Sequence, residues 1–451
     1  MINLHPSAIE NFDKKAEALV QRVQELKREP TVSTFQRDVH VSAMLNFNTA
    51  SAISCSQRDY RGNTISDYFL YQNKFFGLSN SDYAEFDKLV GALHKCPDFK
   101  RYISRRVLSK NAFEWIKEKY SQEADTTFCD AVIAKCEALV ESHDIWIPIA
   151  LLYIQSDFQL GQIVFRSLTK SHIDAWELRT LQSATEHNAT EEEKNSIKQY
   201  FLQRRKKLQG LAMSTMTVVA EAQQAFDTAL EETEKTLSML RFFSPANFLT
   251  EVSSFCTVYG KENVEAITAF LLKEDQLMTI LEPTLNPPFK AWELDTQLVE
   301  ELFKSGLSEL DELLKTQQLT EFQQDLLDAL LLYSRSSLHK EIADKLVYIL
   351  VAMESLLLKN SSEPIQQNIS ERLALFIGNS VAEKQQIISI TKQAYALRSA
   401  FVHHGHEVAD IETMTAFMKH AWNFFYHVLI NKDRFSTKND FLDAIEVAKL
   451  S

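Results

Sequence analysis

Three observations make this chain a mainly α protein with a smaller α+β middle part. Glycine and proline number only nine each in 451 residues, too few to punctuate the many tight turns of a β sandwich. Apolar residues recur every three or four positions through both ends of the chain, the period of a helix with one buried face. Runs rich in aliphatic and aromatic residues at strand length are concentrated between 145 and 165. The length suits roughly three domains: a mostly helical region at 1–142, an α+β middle domain with a long helix at 143–300, and an antiparallel helical bundle at 301–451.

Composition narrows the class. Apolar residues make up 45% and charged residues 24%, the proportions of an ordinary globular protein. A net charge of −13 argues against general nucleic-acid affinity, so any RNA contact must be local. Cys55, Cys96, Cys129, Cys136 and Cys256 show no C-x-x-C spacing, and their odd number suits reduced thiols in a cytosol. The opening M-I-N-L-H-P-S-A-I-E-N-F has neither the charged start nor the apolar core of a signal peptide. No apolar run reaches the length of a membrane span. These readings point to the cytoplasm and to no membrane partner.

In chain order, Pro6 leads into a helix over Ala8–Lys27 that Pro30 stops. Residues 36–70 read as loop and short strand, and helical patterns resume at Asp82–His94, Phe99–Leu108, Ala112–Tyr120 and Cys129–Ser142. Ile145–Ile154 and Leu160–Phe165 read as two strands around a turn, with Pro148 making the first an edge strand or breaking it. Thr185–Lys194 reads as loop. Lys198–Leu208 then carries Arg204, Arg205, Lys206 and Lys207, the densest basic run and a candidate RNA contact, although four adjacent cations usually face solvent. Val218–Phe243 is a long helix stopped by Pro245. Ala266–Phe270 and Leu277–Leu281 are short strands, and Glu300–Leu314 an acidic helix pair.

The C-terminal part reads most clearly. Thr320 is the N-cap of a helix running to Leu338. Lys340–Lys359 is so densely apolar that both sides must be covered, with Glu354 the exception. A carboxylate buried there unpaired costs several kcal/mol, so a cation is expected beside it, Arg372 or Arg398, unless Glu354 lies at the rim. A shorter helix follows Pro364 and ends at Gly378; Glu383–His404, Ile411–Asn431 and Asp440–Leu450 complete the set. Phe417, Trp422 and Phe425 give Ile411–Asn431 more apolar surface than one small bundle easily covers, which predicts an interface.

The chemistry concentrates in Tyr395–Gly405, Y-A-L-R-S-A-F-V-H-H-G. Arg398 carries a planar guanidinium suited to phosphate, and His403 a ring that exchanges protons near neutral pH. Five residues along a helix advance about 7.5 Å and turn about 140°, so the two side chains diverge. Gly405 fits the left-handed position after the last turn, where a cation is favoured by the helix dipole. Taken alone, an arginine and a histidine near a helix end are a common combination. His403, His404 and His406 also suggest metal, but nothing completes a ligand set at the usual spacing, so neither metal nor cofactor is expected.

Together with L-V-Y-I-L-V-A-M-E-S-L-L at 346–357 and E-R-L-A-L-F-I-G at 371–378, this stretch resembles the HEPN superfamily, in its Apea-like branch, over about 319–430. The strand pair and the Leu-Arg-Phe-Phe ending before it resemble, more weakly, the region preceding the bundle in that branch. The family signature is an Arg, four residues and a His, which Arg398 and His403 match. The branch's His often directly precedes Gly, the place of His404; the spacing from Arg398 selects His403. The resemblance implies a HEPN-type antiparallel bundle and a metal-independent endoribonuclease, a toxin or anti-phage defence effector. Arg398 would bind the phosphate, His403 act as general acid or base, and His404 participate secondarily, supported by Glu354, Arg372 and Ser399. It implies RNA as partner and a homodimer through the C-terminal bundle, and leaves open an antitoxin or sensor protein. A non-catalytic helical module for partner or nucleotide binding is the alternative.

Overall fold

The computed structural model describes residues 2–26, 54–59, 61, 63–254, 256–261, 269–273, 276–281, 291–360, 362–404, 408, 410–447 and 449. It is mainly α with a smaller α+β part. The chain forms two compact units, one of residues 1–145, 179–202 and 217–229, the other of 146–178, 203–216 and 230–451.

In the first unit, α1 (Pro6–Val20) has proline in its opening turn, where the missing N–H is harmless. It stops well before the expected Lys27, because the chain turns into β1 (Gln24–Glu25) to pair with a later strand. The strands β2 (Ser54–Arg58), β3 (Thr64–Tyr71) and β4 (Lys74–Ser79) follow, in the antiparallel order β1-β4-β3-β2. Gln72 and Asn73 join β3 to β4 with φ of 49° and 63°, the positive pair of a two-residue hairpin turn. Of the loop and short strand expected at 36–70, residues 36–53 lie outside the described residues, and β2 and β3 occupy most of the rest. The helices α2 (Asn80–His94), α3 (Pro97–Tyr102), α4 (Arg105–Tyr120) and α5 (Phe128–Glu137) bury Phe86, Phe99, Trp115 and Phe128 in one core with Phe69.

Next come β5 (Glu141–Ala150), β6 (Leu152–Ile154), β7 (Phe158–Leu160), β8 (Ile163–Ser167), α6 (Lys170–Glu186), α7 (Glu191–Leu208), β9 (Ala212–Ala220) and α8 (Ala222–Arg241). Most of the expected loop at 185–194 is therefore helical. After these lie β10 (Thr257–Val258), β11 (Ala269–Lys273), β12 (Gln276–Leu281) and β13 (Trp292–Leu294). One sheet has the order β10-β5-β9-β8-β7, so Pro148 lies in an interior strand. Pairing with β10 involves Ala150 and Ile149, and Pro148 contributes only its carbonyl, to Tyr259 N. The strand β9 was not expected, since its first residues read as no element and Val218 onward as helix. Its buried polar groups disguise the pattern: Ser214 Oγ donates to Ile147 O, and Thr215 Oγ1 to Val164 O.

The remaining described residues are mostly helical: α9 (Thr296–Leu302), α10 (Ser308–Lys315), α11 (Glu321–Arg335), α12 (Ile342–Leu357), α13 (Ile365–Ile377), α14 (Val381–His404), α15 (Ile411–Ile430) and α16 (Lys438–Val447). Thr320 caps α11 in a reciprocal pair with Gln323. One core runs from Ile149, Leu160 and Phe165 through Leu326 and Tyr333 to Phe424 and Ile445. The strands of 146–178 thus share a core with the helices beyond 300, where the sequence suggested a boundary.

The aromatic residues of α15 depart from expectation. Phe417 and Phe425 are fully buried within this chain. Trp422 stacks between Phe242 and Tyr426, and its indole N–H donates to Phe242 O at 3.1 Å. The segment after α8 covers these rings, so they offer no surplus surface to a second copy. Among the described residues, no helix is long and apolar enough to cross a membrane.

Candidate functional site

The helix α12 buries Leu346, Ile349, Leu350, Met353, Leu356 and Leu357, leaving a narrow strip that includes exposed Val351 and half-buried Glu354. The helix α14 buries Ile387, Thr391 and Ala394, a stripe with 4,3 spacing. Arg398 continues that stripe, about 20° from Ile387 at 100° per residue, and is half-buried. His403 is about 160° from Ile387 by the same rotation and is exposed. One helix therefore holds the arginine toward its packed side and the histidine toward solvent.

Glu354 finds its partner in a residue the sequence reading passed over. The Tyr395 hydroxyl donates to its carboxylate at 2.9 Å. Burial raises the tyrosine pKa, Glu354 raises it further, and Arg398 opposes both. The proton therefore stays on the phenol, and the Arg398 charge lies close enough to act on the pair. Tyr395 and Arg398 stand three apart on one helix, a spacing that places them on neighbouring positions of one face. That spacing was visible in the sequence; the cross-helix contact was not.

Arg372, expected beside Glu354, is elsewhere. Its guanidinium donates to Leu357 O at 2.6 Å and to both Glu363 oxygens at 2.8 Å, and reaches Glu446 at 3.2 Å. It satisfies a terminal carbonyl of α12 and ties that end to α13 and α16. Among the described residues, neither Arg372 nor Arg398 forms an ion pair with Glu354. A tyrosine hydroxyl suffices because the carboxylate is only partly buried. Ser399 is exposed on α14. His404 is the last residue of α14, while its side chain, Gly405 and His406 lie outside the described residues.

The basic run sits at the end of α7. Arg205 is taken up by Asp174 at 2.6 Å and Glu177 at 2.7 Å, both on α6. Arg204 and Lys207 are not free either, and Lys206 is exposed. The run is thus partly neutralised, which weakens it as an RNA contact.

Among the described residues, one group of carboxylates has metal-binding proximity: Glu309, Glu312 and Asp433. An ammonium already stands among them. Lys432 Nζ lies 2.6, 2.7 and 3.1 Å from the three, respectively. Burial lowers the lysine pKa, but the three carboxylates together outweigh it and raise the net value. The arrangement is an ion-pair network.

Comparison with family models, curated proteins and solved structures finds no match for this chain.

Proposed function

We propose that this protein is a metal-independent endoribonuclease of the HEPN type, and that Arg398 and His403 carry its chemistry. The carrying observation is the placement of Arg398. It is half-buried, adjacent to the Tyr395–Glu354 pair, and forms no ion pair among the described residues. A guanidinium so positioned is steadied by its surroundings yet keeps donors for a phosphate.

In this reading the RNA 2′-oxygen attacks the adjacent phosphorus. The 2′-hydroxyl gives up its proton to a base as the new oxygen–phosphorus bond forms and the bond to the 5′-oxygen breaks, and the leaving oxygen takes a proton from an acid. Arg398 stabilises the charge growing on the phosphate oxygens, and His403 accepts or supplies the proton. Because the two residues face apart on α14, one copy does not close a site, and a second copy supplies the opposing pair. Val351 on α12 is 41% exposed and Val402 on α14 is 48% exposed, apolar positions beside this cluster that suit such pairing. A cytoplasmic toxin or anti-phage role rests on the family resemblance.

The divergence of Arg398 and His403 also favours a second reading, a non-catalytic helical module. Incubating the protein with total RNA and EDTA, beside the Arg398→Ala, His403→Ala variant, separates the two. EDTA-resistant cleavage lost in the variant supports the enzyme. Absent cleavage, or equal cleavage by both proteins, removes it.

A further inference from the structure

A cleft of about 350 Å³ opens where α8, α11 and β10 meet, apart from the Arg398 cluster. Its charged lining is Lys235, Arg241, Lys261 and Arg335 against Glu231 and Glu234, an excess of cations on a chain of net charge −13. Lys261 and Glu234 pair at 2.5 Å. That leaves three cations facing one remaining carboxylate.

Arg241 is the unusual member. It is only 5% exposed, and no carboxylate forms an ion pair with it among the described residues. Its guanidinium donates to Cys256 O at 2.7 Å and to Ser238 Oγ at 2.9 Å, both neutral acceptors. Its Nε is buried with no hydrogen-bond partner, and so is Oγ1 of Thr257, another lining residue. Burial draws the arginine pKa down to about 10, and Glu234, engaged with Lys261, opposes that only in part. A buried charge with no ion-pair partner is normally avoided, and an anion in the cleft would answer it. The other walls, Leu237, Leu331, Leu338 and Val258, are apolar and can cover an uncharged moiety.

We propose that this cleft binds a phosphate-bearing small molecule, its phosphate between Arg241, Lys235 and Arg335. Inorganic phosphate and a nucleotide share that chemistry, and the test separates them. The full chain is titrated calorimetrically at low ionic strength with sodium phosphate in one arm and ATP in the other. Saturable binding is expected in at least one arm. The Lys235→Gln, Arg335→Gln pair, both at the cleft rather than in the core, should weaken it about tenfold or more, since each removes a charged donor. Lys304→Gln, which changes a 77% exposed cation outside the cleft, should leave it unchanged. Arg241→Met should abolish it, and the rim pair still decides the matter if that variant fails to fold. Tighter ATP binding assigns a nucleotide; equal or tighter phosphate binding assigns free phosphate. No saturation with either probe at about 5 mM, or binding indifferent to the rim pair, overturns the proposal.

Discussion

The hydroxyl of Tyr395 on α14 donates to the carboxylate of Glu354 on α12 at 2.9 Å. This bond joins the helix carrying Arg398 and His403 to α12, which buries Leu346, Ile349, Leu350, Met353, Leu356 and Leu357. Hydrogen bonds to charged groups contribute about 1.5–3 kcal/mol, so Tyr395→Phe should lower stability by about that much. Glu354→Gln should lower it less, because an amide still accepts the bond. A double-mutant cycle by urea denaturation should give a coupling of about 1 kcal/mol or more. A coupling near zero means the contact does not hold the helices together.

Cleavage should depend on His403 more than on its neighbours. His403→Ala is expected to slow RNA cleavage about 10²–10⁴-fold, the usual contribution of a general acid or base, with smaller losses for His404→Ala and His406→Ala. Arg398→Lys should rescue little, because an ammonium lacks the planar fork. Equal losses at all three histidines would favour a metal site instead, and equal tolerance would end the catalytic reading.

A shared site requires two copies. Light scattering at micromolar concentration is expected to give a dimer that Val351→Glu, Val402→Glu disrupts along with cleavage. Trp422→Glu should instead destabilise each chain, because Trp422 stacks on Phe242 and Tyr426 of its own chain. A wild-type monomer that cleaves RNA sinks the composite site.

Acid should release the clamp around Arg372. The hydrogen bonds from Arg372 hold the Glu363 pKa down to about 2, below its ordinary 4.5. A group depressed in the folded state stabilises it fully above the unfolded pKa, and that stability is lost as pH falls from about 4.5 toward 2. Glu363→Gln should therefore be less stable than wild type at pH 7, with a gap that narrows below about pH 4.5. Urea midpoints across this range test it; a gap independent of pH removes the linkage.

Helix placement was legible in the sequence wherever periodicity and punctuation agreed. Thr320 at the start of α11, Pro364 and Gly378 around α13, and the apolar density of α12 all act within a few residues, and each lies where it was read. The divergence of Arg398 and His403 was legible for the same reason, since helical rotation depends on spacing alone. What required tertiary structure were choices between distant partners. Arg372 and Arg398 were equal candidates for Glu354 until the packing of α12 against α14 brought Tyr395 to it. The strand β9 was concealed because its buried hydroxyls are satisfied by carbonyls on β5 and β8, which a local polarity pattern does not reveal. The aromatic face of α15 looked like an interface until Phe242 and Phe248 closed over Trp422 from far earlier in the chain. Arg241 stood in an apolar Leu-Arg-Phe-Phe run, but only burial without a carboxylate made it a candidate for an anion. Rotation and capping are properties of neighbouring residues and can be read in order. Desolvation and pairing depend on which distant groups arrive together, and the fold alone sets that.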